Sequence, residues 1–232
     1  MERASIMRFE TMVEDIQQLT PSVKHFVIKR PSSFRFLAGQ FVAVIMNVNG
    51  EELRRSYSIA SKINEKKLAL CIKILKDGRA TPLIDQWKIG EKITLIGPLG
   101  HFVLHANAVQ RNNVFVATGT GITPFRPMIR QLLENECNGR VLLIVGYKNE
   151  EEALYDDEFT ALTKQYKNFS YYKVLSKSEK QEQLHVQDII QRAFLVDADY
   201  YICGLKDMVL SVRDLLFAKG IEREHVFFER YD

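Results

Sequence analysis

Cysteine is scarce in this chain of 232 residues: Cys71, Cys137 and Cys203 are the only three. An odd, widely spaced set makes no disulfide framework and no CxxC metal pair. Four-thiolate iron–sulfur ligation within the chain is excluded as well. Long apolar runs are missing; none approaches the roughly 20 residues that cross a bilayer as a helix. The opening MERASIMRFETMVEDIQQ has neither a long apolar core nor a cleavage signal. Neither sign of charge dominates: 32 Lys and Arg stand against 29 Asp and Glu, a net charge of +3, too little to indicate nucleic acid. The expectation is a reduced, cytoplasmic protein with no membrane insertion and no nucleic-acid partner.

Several catalytic signatures are absent too. The histidines, His25, His101, His105, His185 and His225, show no HExxH or other metal spacing, so no metal site is expected. No GxSxG elbow and no GxxxxGK[ST] phosphate loop occurs. Hydrolase, kinase and metalloenzyme chemistry all lack their parts.

The chain changes character near residue 108. Before it come short strand-like runs: two in RFETMVEDIQQLTPSVKHFVIKRP, broken at Thr20-Pro21, then QFVAVIMNV, RRSYSIAS, KLALCIKIL and KITLIGPLGHFVL. Gly and Pro punctuate the connections, a spacing that favours an antiparallel barrel or sandwich. A short helix is expected from Pro82 to Trp87, with Thr81 as N-cap and Pro82 in the first turn. After residue 108, strand and helix alternate: VFVAT, PFRPMIRQLLENE, RVLLIVGY, EALYDDEFTALTKQY, FSYYKVLS, HVQDIIQRAFL, ADYYICG, DMVLSVRDLLFAKG and HVFFERYD. That alternation argues for a parallel sheet covered on both faces. The fold expected has two domains: an antiparallel β-barrel over 1–108 and an α/β parallel-sheet domain over 109–232.

Four stretches carry candidate chemistry. In LRRSYSIAS, strand alternation puts Arg55 and Tyr57 on one face and Ser56 and Ser58 on the other. An arginine fork can hold phosphate oxygens, and a tyrosine offers a stacking face; read alone, the stretch equally suits a plain surface strand. Gly78-Arg79-Ala80-Thr81-Pro82 precedes the short helix, where outward N–H groups favour an anion, or merely cap the helix. VFVATGTGITPF sets Gly119-x-Gly121 between a strand and a helix, the context of a dinucleotide pyrophosphate, with Pro124 where a third glycine usually stands. YYICGLKDM ends a strand with Cys203-Gly204, and no base flanks Cys203 to make it a nucleophile. The acidic Asp156-Asp157-Glu158 reads as a solvated first turn of a helix.

Taken together and in order, these motifs resemble the ferredoxin–NADP⁺ reductase superfamily across nearly the whole chain. RSYS is similar to the family's R-x-Y-S flavin motif, GRAT to its flavin-phosphate motif, and GPLGHF to the segment closing the flavin domain. GTGITPF is similar to the nicotinamide-nucleotide turn, CGL to the C-G motif, and FERYD to the C-terminal acidic–aromatic segment. The resemblance implies a flavin site in which Arg55 and Ser56 help bind flavin, with Arg55 on its phosphate. Tyr57 stacks on the isoalloxazine and Ser58 hydrogen-bonds near N5. Backbone groups of Cys71, Ile72 and Lys73 line the flavin, and Gly78, Ala80 and Thr81 bind pyrophosphate. Tyr231 covers the other flavin face. Gly119, Thr120, Gly121, Thr123 and Pro124 cradle NAD(P)H, Cys203 and Gly204 border the nicotinamide with Glu229, and Ser176 and Lys177 meet a 2′-phosphate. Ser58, Cys203 and Glu229 would shape the encounter between the two rings.

The resemblance further implies FAD rather than FMN, since the second phosphate-binding segment is present. It implies NADPH or NADH as hydride donor, with NADPH favoured because Gly146-Tyr147-Lys148 lacks an acid for the ribose hydroxyl. The acceptor would be a separate protein such as ferredoxin, flavodoxin or an oxygenase component. Two alternatives stay open: reduction of free flavin as a substrate, and a flavin-binding electron-transfer subunit without NAD(P)H oxidation.

Overall fold

Strand β1 (Met7–Thr20) serves two ladders in turn, and that double use begins the first unit. Its first half pairs antiparallel with β6 (Lys92–Leu99), from Met7↔Gly97 to Met12↔Lys92. Its second half pairs with β2 (Val23–Lys29), with a register irregularity between Val13 and Asp15 that bends the strand from one ladder into the other. β3 (Phe41–Val48), β4 (Glu51–Ser58) and β5 (Lys67–Lys73) complete the order β4-β3-β6-β1-β2-β5. The two end strands meet through a bridge at Ile59↔Leu70 and the Ala60 N–H bond to the Ala69 carbonyl, 2.8 Å, which closes a six-stranded antiparallel barrel. The computed structural model describes residues 5–48, 50–177 and 183–231; Asp232 of the FERYD segment lies outside them.

The barrel fills with the inward members of each alternation, among them Val13, Phe26, Ile28, Val42, Val44, Leu70 and Leu95. Helix α1 (Thr81–Asp85) closes one end through Ile84 and the following Trp87, whose ring meets Phe26 edge-on at 5.3 Å. Each such side chain contributes roughly 1.5–3 kcal/mol of burial. The helix is shorter than the sequence suggests, and Ala80 rather than Thr81 is its N-cap, without a side-chain cap. The Thr81 hydroxyl instead accepts from the Leu75 N–H and donates to the Leu75 carbonyl, both at 2.9 Å. The Leu75 N–H, just past the end of β5, gains a partner in this way, and its carbonyl also accepts from the Gly78 N–H at 3.0 Å.

Compactness assigns residues 1–103 and 123–128 to this unit, and 104–122 with 129–232 to the second. The return of 123–128 follows from packing. Phe125 lies 5.9 Å from Phe102, and the Met128 methyl occupies the space beside Gly39 where a β-carbon would stand. Residues 104–108 go with the second unit because the His105 N–H donates to the Tyr201 hydroxyl at 2.9 Å and Asn113 binds the Ala108 carbonyl.

The second unit is a five-stranded parallel sheet in the order β11-β10-β7-β8-β9. Its strands are β7 (Asn112–Thr118), β8 (Val141–Tyr147), β9 (Phe169–Leu175), β10 (Ala198–Leu205) and β11 (Val226–Tyr231). Its helices are α2 (Phe125–Glu134, whose first turn belongs to unit 1), α3 (Asp156–Gln165), α4 (Val186–Arg192) and α5 (Lys206–Ala218). β7, β8 and β10 are near-continuous buried runs, as strands covered on both faces must be. Along one face Phe115, Tyr201 and Phe227 stack at 5.0 Å intervals from register-matched positions. On the other, Val116, Tyr200 and Ile202 pack with Val209, Val212 and Leu216 of α5. At the amino end of β10, fully buried Asp199 accepts from Arg111 Nε at 3.0 Å and meets His225 Nδ1 at 2.7 Å. The acidic start of α3 is less solvated than its sequence suggests. Asp156 accepts from the Tyr171 hydroxyl and Lys173, Glu158 pairs with Arg130 Nε at 2.9 Å, and Asp157 is the exposed one of the three.

Candidate functional site: a flavin cradle and a nucleotide turn

β4 lies at one end of the sheet order and carries Arg54, Arg55 and Ser56 exposed, Tyr57 half-buried and Ser58 buried. Its ladder to β3 sets Arg55 opposite Val44 and Tyr57 opposite Val42, so both share a face. The two arginines differ in partnership. Arg54 pairs with Glu52 at 2.7 Å, whereas Arg55 makes a bond to the Arg54 carbonyl and no ion pair with a described residue. Tyr57 packs against the barrel core, and burial pushes its phenol up to about 12 although the Arg55 charge pulls the other way. Arg55 thus offers an unneutralised guanidinium within electrostatic reach of an aromatic ring. Ser58, 5 % exposed, is register-matched to Phe41.

Two further segments supply open hydrogen-bonding groups. β5 pairs with β2 at Cys71↔His25, Ile72↔Lys24 and Lys73↔Val23, and beyond the Leu70 bridge no described strand covers its other edge. After the Leu75–Thr81 clasp, the backbone N–H groups of Arg79, Ala80 and Thr81 donate to no other described residue. Gly78 is wedged beneath them; a β-carbon there would stand 2.8 Å from Thr81 Oγ1. Three adjacent amides without an acceptor among the described residues can receive an anion. With Arg55 and the open β5 edge, they fit the phosphates and polar ring edge of a flavin dinucleotide. The Thr81 hydroxyl shapes that loop by holding Leu75.

In the second unit, β7 ends at Thr118 and the chain turns through Gly119–Ile122. Gly119 has φ +52° with open space where a side chain would be. Gly121 is different: a β-carbon there would stand 2.6 Å from the Cys203 carbonyl carbon and 2.9 Å from Gly204 Cα. Its bareness serves the packing of the turn on β10, while room for a ligand lies at Gly119. The Leu205 N–H reaches Thr118 Oγ1 at 3.4 Å. Thr118–Gly121 and Cys203–Gly204 therefore converge at the carboxyl ends of two adjacent parallel strands, where open α/β sheets bind ligands. Thr120 is half-buried at the turn; Thr123 and Pro124 are buried and fall with the first unit.

The β10–β11 register sets Cys203 opposite Glu229 and Leu205 opposite Tyr231. Burial pushes the Cys203 thiol well up, the Glu229 charge adds to this, and a hydrogen bond from the Tyr231 hydroxyl offsets part of it. Such a thiol is no nucleophile. Burial also raises the Glu229 carboxyl above its ordinary range. At the ends of β8 and β9, the Ser176 N–H bonds the Tyr147 carbonyl and the Lys177 N–H bonds the Lys148 carbonyl, each at 2.9 Å. That pairing sets exposed Lys148 and Lys177 side by side, neither in an ion pair with a described residue. Sequence reasoning missed Thr118, whose only signal is its position as the last residue of VFVAT.

A family model of the oxidoreductase FAD-binding domain matches residues 10–104, and one of the oxidoreductase NAD-binding domain matches 115–214. Ferredoxin–NADP reductase B of Sorangium cellulosum is 30% identical over 239 residues, covering 97% of this chain and 98% of that protein. The toluate 1,2-dioxygenase electron transfer component of Pseudomonas putida is 26% identical, covering 96% of this chain and 67% of its own length. Among solved structures, the ferredoxin–NADP⁺ reductase of Plasmodium falciparum aligns with a TM-score of 0.84 at 28% identity, over 97% of this chain and 96% of that one. The reductase of Neisseria gonorrhoeae with bound FAD and NADP shares the fold at a TM-score of 0.86 and 22% identity, over 96% and 98%. This chain belongs to the ferredoxin–NADP⁺ reductase superfamily, the NAD(P)H-dependent flavoprotein reductases.

Proposed function

We propose that the chain is a cytoplasmic reductase that oxidises NADPH through FAD and passes electrons to a separate acceptor protein, a ferredoxin, a flavodoxin or the component of an oxygenase. The observation that carries the reading is the convergence of Thr118–Gly121 with Cys203–Gly204 at the carboxyl ends of β7 and β10 of the second unit; the first unit separately carries Arg55 and the 79–81 amides. FAD, when bound, supplies the acceptance of a hydride and the release of single electrons. The chain's own residues supply binding and orientation. Arg55 gives charge-assisted hydrogen bonds to phosphate, and the amides of Arg79, Ala80 and Thr81 hold the pyrophosphate with Gly78 beneath. Tyr57 offers its ring to the flavin from one face of β4, and Ser58, the strand's last residue, offers its hydroxyl where the alternation ends, with Ser56 and backbone groups of Cys71, Ile72 and Lys73 completing the site. Gly119, Thr120 and Gly121 take the dinucleotide phosphates, and Thr123 and Pro124 lead the turn into α2. Cys203, neutral and buried, gives the nicotinamide a non-reacting wall, and Glu229 can hold a proton at its carboxyl. Tyr231 keeps its hydroxyl on the Cys203 thiol.

Preference for NADPH is supported by the adjacent cations Lys148 and Lys177, in no ion pair with a described residue, together with Ser176, a charge pattern suited to a 2′-phosphate. The test is an absorption spectrum of the purified protein followed by anaerobic titration with NADPH and with NADH. A yellow protein bleached by NADPH at lower concentration than by NADH is expected. A colourless protein that takes up no FAD and oxidises neither nucleotide overturns the reading. Retention of FAD through gel filtration separates a flavoprotein from an enzyme that only reduces free flavin.

A further inference from the structure

Arg126 stands in the first turn of α2, yet it belongs with the barrel. Its Nη1 donates to the Ala60 carbonyl at 2.8 Å. Ala60 lies on the barrel's seam, just past the end of β4 at Ser58. There the ladder reduces to a bridge at Ile59↔Leu70, with the Ile59 N–H on the Gln40 carbonyl at 2.9 Å and the Ala60 N–H on the Ala69 carbonyl at 2.8 Å. The Ser61 hydroxyl accepts from the Ala69 N–H at 3.2 Å. A seam with so few backbone bonds leaves the Ala60 carbonyl to a side chain, and the Arg126 guanidinium meets it. The same segment grips the other side of the seam. Met128 fills the space against Gly39, next to the Gln40 that holds Ile59, and Phe125, fully buried, packs on Phe102.

We propose that Arg126 is a positioning residue for the flavin site: by fixing the Ala60 carbonyl it sets the course of residues 58–61 and the orientation of the Ser58 hydroxyl. The inference rests on the reading of Ser58 as a flavin contact. A charged donor suits the task, since a hydrogen bond from a guanidinium outweighs a neutral one.

The experiment compares Arg126→Gln and Arg126→Lys with Arg130→Gln, a control on the same helix whose arginine pairs with Glu158. In flavin-free protein, amide hydrogen exchange over residues 58–61 reads the seam directly. Arg126→Gln is expected to speed it about tenfold, the loss of one hydrogen bond, with Arg126→Lys intermediate and Arg130→Gln at the wild-type rate. In FAD-loaded protein, Arg126→Gln is expected to change the visible circular dichroism of bound flavin. It should also slow single-turnover reduction by NADPH about tenfold with KM for NADPH within about twofold. Unchanged exchange and unchanged flavin dichroism in Arg126→Gln overturn the proposal, as does an equal change in Arg130→Gln. If Arg126→Gln does not fold, Arg126→Lys carries the same comparison. Wild type that takes up no FAD overturns the reading of Ser58, while the exchange data still report whether Arg126 orders the seam.

Discussion

Gly121 lies directly against the backbone of Cys203, with the carbonyl carbon 2.6 Å from where a β-carbon would sit and the oxygen closer still. Both sides of that contact are main chain, and β10 is buried from Ala198 through Gly204, so neither can yield as a flexible side chain would. A methyl group must push the nucleotide turn away from the sheet, and overpacking of this kind costs about 1–3 kcal/mol or more. Gly121→Ala is expected to lower the melting temperature and to weaken NADPH binding at least tenfold while leaving FAD content unchanged. Calorimetry with a nucleotide titration checks this. Wild-type melting and wild-type affinity together would show that residue 121 has room to spare.

Ser58 is buried at the end of β4 and next to the seam. Replacing it with alanine removes a hydroxyl and little volume. Ser58→Ala is expected to keep FAD bound and slow its reduction by NADPH about tenfold, the equivalent of one hydrogen bond of ~1.4 kcal/mol. Stopped-flow bleaching of the flavin measures it, and a wild-type rate refutes the role.

Glu229 provides a pH dependence of known sign. Burial raises its folded-state carboxyl above the ordinary value of 4.5. Between the unfolded and folded values the native state binds more protons than the unfolded one. The stability Glu229 contributes is therefore full below the unfolded value and is lost as pH rises through the folded one. Glu229→Gln, neutral at all pH, should gain stability relative to wild type as pH rises from about 4 to about 7. Parallel melting curves of the two apoproteins across that range would contradict the assignment.

Asp199 is fully buried at the amino end of β10, the opposite end from Cys203, and is shared by Arg111 and His225. Removing a fully buried partner costs up to roughly 3–5 kcal/mol, and the partial exposure of Arg111 and His225, with the Arg111 pair to Asp197 at 2.9 Å, puts this case toward the low end of that range. Asp199→Ala is expected to destabilise the protein by that order in urea unfolding, with the absorption spectrum of bound flavin unchanged. A loss below about 1 kcal/mol, the range of exposed pairs, would place the cluster in solvent.

Much of the fold was legible because local period and global packing agree. Alternation in RFETMVEDIQQ and the buried run YYICG each admit one kind of strand, and the structure has both as β1 and β10. What escaped depends on contacts distant in sequence. Thr81 looks like an N-cap, but its hydroxyl goes to the N–H and carbonyl of Leu75 instead. Asp156 and Glu158 look solvated until Lys173 and Arg130 arrive from β9 and α2. Gly121 looks like a phosphate glycine, and the approach of Cys203 gives it a packing role. The Arg126–Ala60 bond spans 66 positions and carries no local signal.

Arg54 and Arg55 are neighbours in a motif that sequence alone cannot divide, and the structure separates them by their partners. Arg54 is neutralised by Glu52 at 2.7 Å, and Arg55 has no acidic partner among the described residues. A phosphate recruits the unpaired guanidinium without breaking an existing ion pair, so Arg55 should carry the affinity. A hydrogen bond to a charged group contributes about 1.5–3 kcal/mol, which predicts a loss of roughly 10- to 150-fold in FAD affinity for Arg55→Ala. Arg54→Ala removes an exposed pair of ~0–1 kcal/mol and should leave FAD affinity within a factor of about five. Titration of the apoproteins with FAD, followed by quenching of flavin fluorescence, distinguishes the two; an equal loss in both variants would mean that the Glu52 pair does not withhold Arg54 from the phosphate.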